Sequence, residues 1–200
     1  MNIVLFGAPG AGKGAQAERI ASLYGMVHLS TGEMLRSAIS SGSDLGVRAK
    51  DIIDRGELIS DDIIVRIVDT RMDEDDCVKG VILDGFPRTI AQAEALNEML
   101  ASRGRALDHV IEIEVDELAL FARIENRASE RRRTGTARSD DSAEILRKRL
   151  AIYRETSAPL LPYYRAKGLL RSVDGMASID DVAAQIDNLL GQRVCVEVDC

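Results

Sequence analysis

A glycine-rich run directly after the first apolar segment limits the possible folds of this chain more than any other feature of the sequence. The apolar stretch MNIVLF at positions 1–6 leads straight into GAPGAGKG at positions 7–14, and a helical pattern follows. Glycines let successive backbone N–H groups turn inward around anionic oxygens, and the next helix directs the positive end of its dipole at them. Lys13 adds a mobile positive charge. The order of strand, glycine run and helix therefore predicts a phosphate-binding loop.

The loop departs from the strict motif in one respect. That motif has Ser or Thr after the lysine, whereas this chain has Gly14. A glycine-rich turn beside an incidental lysine is the structural alternative. The position of the loop after an N-terminal apolar run favours phosphate binding.

Short apolar runs alternate with longer helical patterns along the chain, which is typical of α/β proteins with a parallel sheet. The predicted strands span residues 3–6, 27–29, 81–84, 110–115 and 169–173. The predicted helices begin near Gly12, Gly32, Ser60, Thr89, Asp116, Ser142 and Ser178. Ser178 and Asp181 form a capping box at the start of the last helix. Right-handed crossovers should place helices on both faces of the sheet.

Two segments fit the pattern of a core domain poorly. Residues 30–59 form a polar, glycine-punctuated helical insert between the second and third predicted strands. Residues 127–137 carry too many charges for a core element. We interpret both as surface flaps on a core domain made of residues 1–29, 60–126 and 138–200. The pairing of the tail at 192–200, which alternates like a strand, is not predicted.

The distribution of charge narrows the class of partner. The chain has 200 residues and a formal net charge of −7, which argues against a general nucleic-acid binder. Between positions 123 and 149, however, nine Lys or Arg residues stand against five Asp or Glu. This basic segment is either a solvated helix face with ordinary ion pairs or the place where a small polyanion binds.

The sequence also bears on location. The first residues lack the charged region of a signal peptide, and no apolar run approaches the ~18 residues of a membrane span. Cys77, Cys195 and Cys200 have no metal-ligand spacing, so we expect reduced thiols. These features predict a cytoplasmic protein that does not bind a membrane.

Eight motifs, taken together and in order, resemble those of the adenylate kinase family of nucleoside-monophosphate kinases. They include STGEMLR at 30–36 and LDGFPR at 83–88. The full set lies at positions 7–14, 30–36, 56–59, 83–88, 123–127, 138–141, 147–150 and 173–175. The resemblance covers nearly the whole chain and leaves out only the tail.

The resemblance implies a P-loop NTPase-type fold, with a five-stranded parallel sheet sandwiched by helices. It also implies an AMP-binding helical insert at 30–59 and a short lid at 127–137. The implied activity is reversible transfer of the terminal phosphoryl group from Mg-ATP to AMP, giving two ADP, by a monomer. The lid lacks the four cysteine-type ligands of some relatives, so no structural zinc is expected.

The resemblance also assigns residues to two nucleotide sites. The ATP site would be formed by Gly10, Ala11, Gly12, Lys13, Gly14, Ala15, Arg123, Arg127 and Ala177. The AMP site would be formed by Thr31, Arg36, Glu57, Leu58, Ile59, Gly85, Phe86, Pro87, Arg88, Gln92, Arg138 and Arg149. Asp84 would hold Mg²⁺ through water, and Phe86–Pro87 would be a cis peptide bond.

Phosphoryl transfer needs alignment and charge stabilisation more than proton chemistry, and planar guanidinium groups suit the oxygens of a transferring group. The predicted catalytic residues are therefore cationic: Lys13, Arg88, Arg123, Arg127, Arg138 and Arg149. Each has a structural alternative, because arginines on helices often make only surface ion pairs. Likewise, Asp84 could cap a turn, and Gln92 could merely complete a capping box with Thr89.

Alternatives for the function as a whole also remain open. Thr31 favours AMP, because the pyrimidine-preferring relatives usually have a smaller residue there. A UMP/CMP kinase or a broad-specificity kinase is the runner-up. Ala15, in place of the usual threonine, removes a hydroxyl from the loop, so an inactive nucleotide-binding relative is a further alternative. A guanine-nucleotide switch is disfavoured, because no Asn-Lys-x-Asp base reader occurs.

Overall fold

The computed structural model describes residues 1–42, 50, 59–134 and 143–191, and it contains a five-stranded, fully parallel sheet. The strands are Asn2–Phe6 (β1), Val27–Ser30 (β2), Val81–Asp84 (β3), His109–Glu114 (β4) and Leu170–Asp174 (β5). Their order across the sheet is β2-β3-β1-β4-β5. In register, Leu5 on β1 lies between Asp84 on β3 and Ile111 on β4.

Helices connect the strands. They are Lys13–Tyr24 (α1), Thr31–Ser40 (α2), Asp61–Met72 (α3), Ile90–Ser102 (α4), Glu117–Thr134 (α5), Ala143–Ile152 (α6), Leu160–Ala166 (α7) and Ile179–Gly191 (α8). A 3₁₀ turn spans Asp75–Lys79, and a π-helical turn spans Tyr153–Ser157 between α6 and α7.

Alternate residues of each strand enter cores on opposite faces of the sheet, as expected for a sheet covered on both sides. Val4 and Phe6 pack with α3, α4 and α7 on one face. Ile3 and Leu5 pack with α1, α5, α6 and α8 on the other. Both cores draw on the central strands, so β1 is apolar from Ile3 to Phe6, and all five of its residues, Asn2 included, are buried.

The observed elements agree closely with the predicted ones. The five strands begin and end within one residue of the predicted positions. The predicted capping box of α8 forms in part: the Asp181 N–H donates to Ser178 Oγ at 3.2 Å, and the Asp181 carboxylate accepts from that hydroxyl at 2.7 Å. The break after α6, where the π-helical turn and the short α7 follow, was not predicted from the sequence. Within the described part of the chain, no helix is both long and apolar enough to cross a bilayer.

One carboxyl group lies inside the sheet region. Glu112 on β4 is 8% exposed, and Ser172 Oγ on β5 donates a hydrogen bond to it at 2.9 Å. Burial raises the pKa of Glu112 above its ordinary value, and Glu114 raises it further, against the opposing effects of Ser172 and Arg165. The ionised form of Glu112 is therefore disfavoured in the folded state.

We expect Glu112→Gln to stabilise the protein at neutral pH. A carboxyl whose pKa is raised by folding contributes stability below its ordinary pKa and loses that contribution as the pH rises through the raised value. The introduced amide can still accept from Ser172 and carries no charge at any pH. The melting temperature at pH 7 should exceed that of the wild type, by about 2–4 °C for each kcal/mol gained in the free energy of unfolding. This difference in melting temperature should vanish below about pH 4.

Thermal unfolding followed by circular dichroism at several pH values measures this difference. Glu98→Gln, at an exposed position on α4, is the control for removing one negative charge from the surface. A gain from Glu112→Gln that is the same at acid and neutral pH would contradict the assignment.

Candidate functional site

The loop between β1 and α1 is built around backbone that only glycine accommodates well. Gly7 has φ 141°, and a Cβ there would lie 2.8 Å from the carbonyl oxygen of Ile113 on β4. The chain therefore turns tightly off the end of β1 and passes close to the neighbouring strand. It enters α1 at Lys13, so the N–H groups of the first helical turn face the same edge of the sheet as the loop.

Lys13 lies over this loop. Its Nζ donates to the carbonyl oxygens of Gly7 at 2.8 Å and Ala8 at 3.1 Å. The ammonium group is thereby held beside the N-terminus of α1. The two together make a positively charged cradle for an anionic group.

Asp84 ends β3 next to this cradle. A Cβ at Gly14 would lie 3.8 Å from its Oδ2, and His28 Nε2 on β2 lies 3.7 Å from the same oxygen. Burial raises the pKa of Asp84, but His28 together with the positive charges of Lys13 and Arg88 outweighs burial, and the net pKa is below the ordinary value. Asp84 therefore presents an ionised carboxylate at the carboxyl edge of the sheet.

A tight turn follows Asp84 and fixes the next residues. Gly85 has φ 80°, and a Cβ there would lie 2.8 Å from Thr31 Oγ1 and 3.0 Å from Arg88 Nη2. Its carbonyl oxygen accepts from Thr31 Oγ1 at 3.0 Å and from Arg88 Nε at 2.8 Å. The Phe86–Pro87 bond is cis, as expected from the resemblance. This turn joins the start of α2 to the Arg88 guanidinium.

Arg88 is held in place at both backbone polar groups. Its N–H donates to Gln92 Oε1 at 2.7 Å, and its carbonyl oxygen accepts from Ser157 Oγ at 3.1 Å. Burial lowers the pKa of Arg88, Asp84 raises it, and the nearby Arg149 lowers it again. The site thus places two guanidinium groups close enough to repel each other, an arrangement that an anion between them would relieve.

One cleft joins the loop to the residues predicted for the acceptor side. It runs along the carboxyl ends of β1, β2 and β3 and is bordered by Gly10, Lys13, Thr31, Arg36, Ile59, Asp84, Gly85, Pro87, Arg88, Gln92 and Arg149. Its continuation towards α5 is bordered by Gly12, Gly14, Ala15 and Arg123. Residues far apart in the sequence therefore face a shared space, as the strand order requires.

Other predicted residues lie around or away from this cleft. Arg123 Nη2 donates to the carbonyl oxygen of Gly175 at 2.7 Å, which ties α5 to the loop that carries Ala177. Ala11 is buried at 3% exposure in the core below the loop. The Phe86 ring is 1% exposed and packs in the core, so only the backbone of this residue remains available to a ligand.

Glu57, Leu58 and Arg138 lie outside the described residues, and for Arg127 only the helical backbone within α5 is described. The Arg36 side chain is placed over Gly32, with its Nη2 4.0 Å from Glu33 Oε1. Within the described ranges, no group of three or more His, Cys, Asp or Glu side chains is arranged to hold a metal ion.

Several residues at the cleft were not predicted from the sequence. Phe6 and Tyr153 border it with their rings 6.0 Å apart, and Ser157 borders it beside Arg88. A signal for Phe6 was available, because the last residue of a strand before a phosphate-binding loop must lie at the carboxyl edge. The π-helical turn that positions Tyr153 and Ser157 has no comparable local signature.

Comparisons with known proteins agree over nearly the whole chain. A family model described as "Adenylate kinase" matches residues 5–169. An adenylate kinase of Parvibaculum lavamentivorans is 53% identical over 191 residues, which is 96% of this chain and 92% of the relative. Adenylate kinases of Caulobacter vibrioides (51% over 190 residues, 95% and 97% of the two chains) and Xanthobacter autotrophicus (50% over 193 residues, 96% and 99%) are similarly close.

Proposed function

The chain belongs to the adenylate kinase family, and on that premise we propose that it transfers the terminal phosphoryl group of ATP to AMP, giving two ADP. The main observation in support of this proposal is that one cleft joins the residues expected for both nucleotides. Lys13 in the glycine loop, Thr31 and Arg36 on α2, and Arg88 after β3 border the same space. The names of the relatives do not favour the UMP/CMP alternative.

We assign the donor nucleotide to the part of the cleft around the loop. Backbone N–H groups from Gly10 to Ala15 and the ammonium of Lys13 would bind the ATP phosphates. Arg123, which borders this part, and Arg127 would cover the nucleotide, with Ala177 near its base.

The acceptor nucleotide is assigned to the opposite part. Thr31, Arg36, residues 57–59 and the turn from Gly85 to Arg88 would enclose AMP, with Gln92 at its base. Arg149 and Arg138 would reach the phosphates being joined. Arg149 borders the cleft and lies near enough to Arg88 to affect its charge.

The reaction needs little from the protein beyond position and charge. An oxygen of the AMP phosphate attacks the terminal phosphorus of ATP, and the bond from that phosphorus to the bridging oxygen breaks, leaving ADP on both sides. In the transition state, negative charge spreads over the oxygens of the phosphoryl group being transferred, where guanidinium and ammonium donors stabilise it. A cleft that excludes water also prevents loss of the phosphoryl group to hydrolysis.

Adenylate kinases generally use ATP with Mg²⁺, and the residues present fit that ion. Asp84 offers a hard carboxylate oxygen, ionised because its pKa is low, beside Lys13 and the start of α1. When bound, the metal neutralises phosphate charge. Ala15 supplies no hydroxyl to the loop. We therefore propose that Asp84 would hold the ion through water and that the other oxygens around it would come from the nucleotide and from water.

The division into a core, an insert at 30–59 and a lid at 127–137 stays a prediction. The described parts of these flaps are residues 30–42, 50 and 59 of the insert and the backbone of residues 127–134 of the lid. We propose that both flaps close over the substrates, since closure would complete the set of arginines around the phosphates. A monomeric state and a cytoplasmic location are likewise predictions.

Formation of ADP by the purified protein tests the proposal. With ATP and Mg²⁺, we expect a kcat/KM for AMP at least about 10²-fold above those for CMP and UMP, because a site built to pair with one base leaves polar groups unpaired with another. No ADP from any acceptor would indicate an inactive relative. CMP or UMP as the better acceptor would overturn the choice of substrate.

A further inference from the structure

The side-chain amide of Gln92 can adopt only one orientation. Gln92 is 2% exposed and lies in the wall of the cleft. Its Oε1 accepts from the Arg88 N–H at 2.7 Å, and its Nε2 donates to Asp61 Oδ1 at 2.6 Å. A peptide N–H can only donate and an ionised carboxylate can only accept, so a flipped amide would lose both hydrogen bonds.

Asp61 is well placed to enforce this orientation. It is the first residue of α3, and its other oxygen, Oδ2, accepts from Thr89 Oγ1 at 2.7 Å. Thr89 in turn caps α4 by accepting from the Gln92 N–H at 3.2 Å. The carboxylate is thus anchored to the helix that carries Gln92, and it lies behind Gln92, outside the set of described residues that border the cleft.

These contacts leave part of the amide for a ligand. An amide has two N–H donors and two acceptor lone pairs, and the described contacts of the Gln92 side chain use one of each. The remaining donor and acceptor have a fixed order along the cleft wall. A base positioned by its ribose and phosphate must present the complementary order.

The two purine types present opposite orders. Adenine offers an acceptor at N1 and an amino donor at position 6, whereas a 6-oxopurine such as hypoxanthine offers a donor at N1 and an acceptor at position 6. A freely flipping amide could pair with either base. A fixed amide can pair with only one.

We propose that Asp61 is a positioning residue that sets base specificity, because it locks the Gln92 amide in the orientation that pairs with adenine and rejects 6-oxopurines. The inference rests on the proposed function, which places the acceptor base at Gln92. The position of Arg88 depends less on Asp61 than that of the Gln92 amide does, since Ser157 and the carbonyl of Gly85 also hold Arg88. Loss of Asp61 should therefore affect recognition of the base more than turnover.

The experiment compares AMP with IMP, which differ only at the N1 and 6 positions of the base, as acceptors for the full-length enzyme. We expect D61A to reduce the ratio of kcat/KM for AMP to that for IMP by at least about tenfold, the value of one hydrogen bond to a charged group. Most of the change should be a higher KM for AMP. D61N should keep a ratio close to that of the wild type, because the introduced amide oxygen can still accept from Gln92.

Asp62→Ala is the matched control. Asp62 is the next residue in the first turn of α3 and is exposed, so its removal costs the same charge near the helix N-terminus. In this variant, the ratio of kcat/KM for AMP to kcat/KM for IMP should equal that of the wild type. Melting curves identify any variant that does not fold, and D61S, which keeps a hydroxyl suited to a helix start but is too short to reach Gln92, replaces D61A in that case.

Two results would overturn the inference: an unchanged ratio in the folded Asp61 variant, or an equal loss of activity with both acceptors. Failure of the wild type to form ADP from ATP and AMP is a different outcome. It would contradict the proposed function from which the inference proceeds.

Discussion

Arg88→Ala is expected to lower kcat by about 10³-fold, the range found for arginines that stabilise a transferring phosphoryl group. The Arg88 guanidinium lies between the turn at Gly85 and the neighbouring Arg149, where the charge of the reacting phosphates would concentrate. Its backbone contacts to Gln92 and Ser157 do not need the side chain and should persist in the variant. Burial already disfavours the charged form of this side chain, so its removal should not lower the melting temperature of the protein.

Steady-state kinetics and a melting curve measure the two expectations together. Arg88→Lys keeps a charge but loses the planar fork, so it should recover only part of the rate. Arg154→Ala is the control for losing a cation, since Arg154 is 61% exposed and makes a surface ion pair with Glu117. A kcat for Arg88→Ala near that of the wild type would remove Arg88 from the catalytic set.

Lys13→Met should lower kcat by about 10²–10³-fold, the cost of removing one fixed donor from a site that stabilises developing negative charge. The Lys13 ammonium is held beside the N-terminus of α1 by the carbonyls of Gly7 and Ala8. Methionine keeps a chain of similar length and apolar character, so packing against the loop should survive while the charge is lost.

The matched control is Lys148→Met on α6, where the lysine is 53% exposed and pairs with Glu144 at 3.3 Å. It should leave kcat and KM for both nucleotides unchanged. Comparable losses in the two variants would mean that net charge, not the position of Lys13, governs activity. A Lys13→Met enzyme with full kcat but weak ATP binding would restrict the lysine to binding.

Local signals in the sequence predicted the framework of the protein. The strand bounds follow from short apolar runs, and those bounds hold within one residue for β1 and β3. The glycine at position 7 and the capping pair Ser178 and Asp181 also act over a few residues, so their conformations could be inferred without the fold. The break after α6 could not, because the π-helical turn that brings Tyr153 and Ser157 to the cleft has no signature within its own few residues.

The candidate site divides in the same way. The types of residue expected to hold phosphates were readable from motifs, and the structure brings Lys13, Arg88 and Arg149 to one cleft. The supporting hydrogen bonds were not readable. Gln92 was predicted to complete a capping box with Thr89, to recognise a base, or both. Only the Thr89 half of the box forms, because the Gln92 side chain accepts from the Arg88 N–H and is oriented by Asp61, 31 residues away.

By itself, the sequence determined the order of strands and helices, the phosphate-binding loop and the cationic character of the site, because each depends on backbone freedom, apolar spacing or charge within a short segment. Only the tertiary structure decided which side chains meet at the carboxyl edge of the sheet. Ser157 reaches the Arg88 carbonyl across 69 residues, and Arg123 reaches the Gly175 carbonyl across 52. Such contacts arise from the packing of parallel strands and their crossover helices, which brings together segments whose local sequences carry no information about each other.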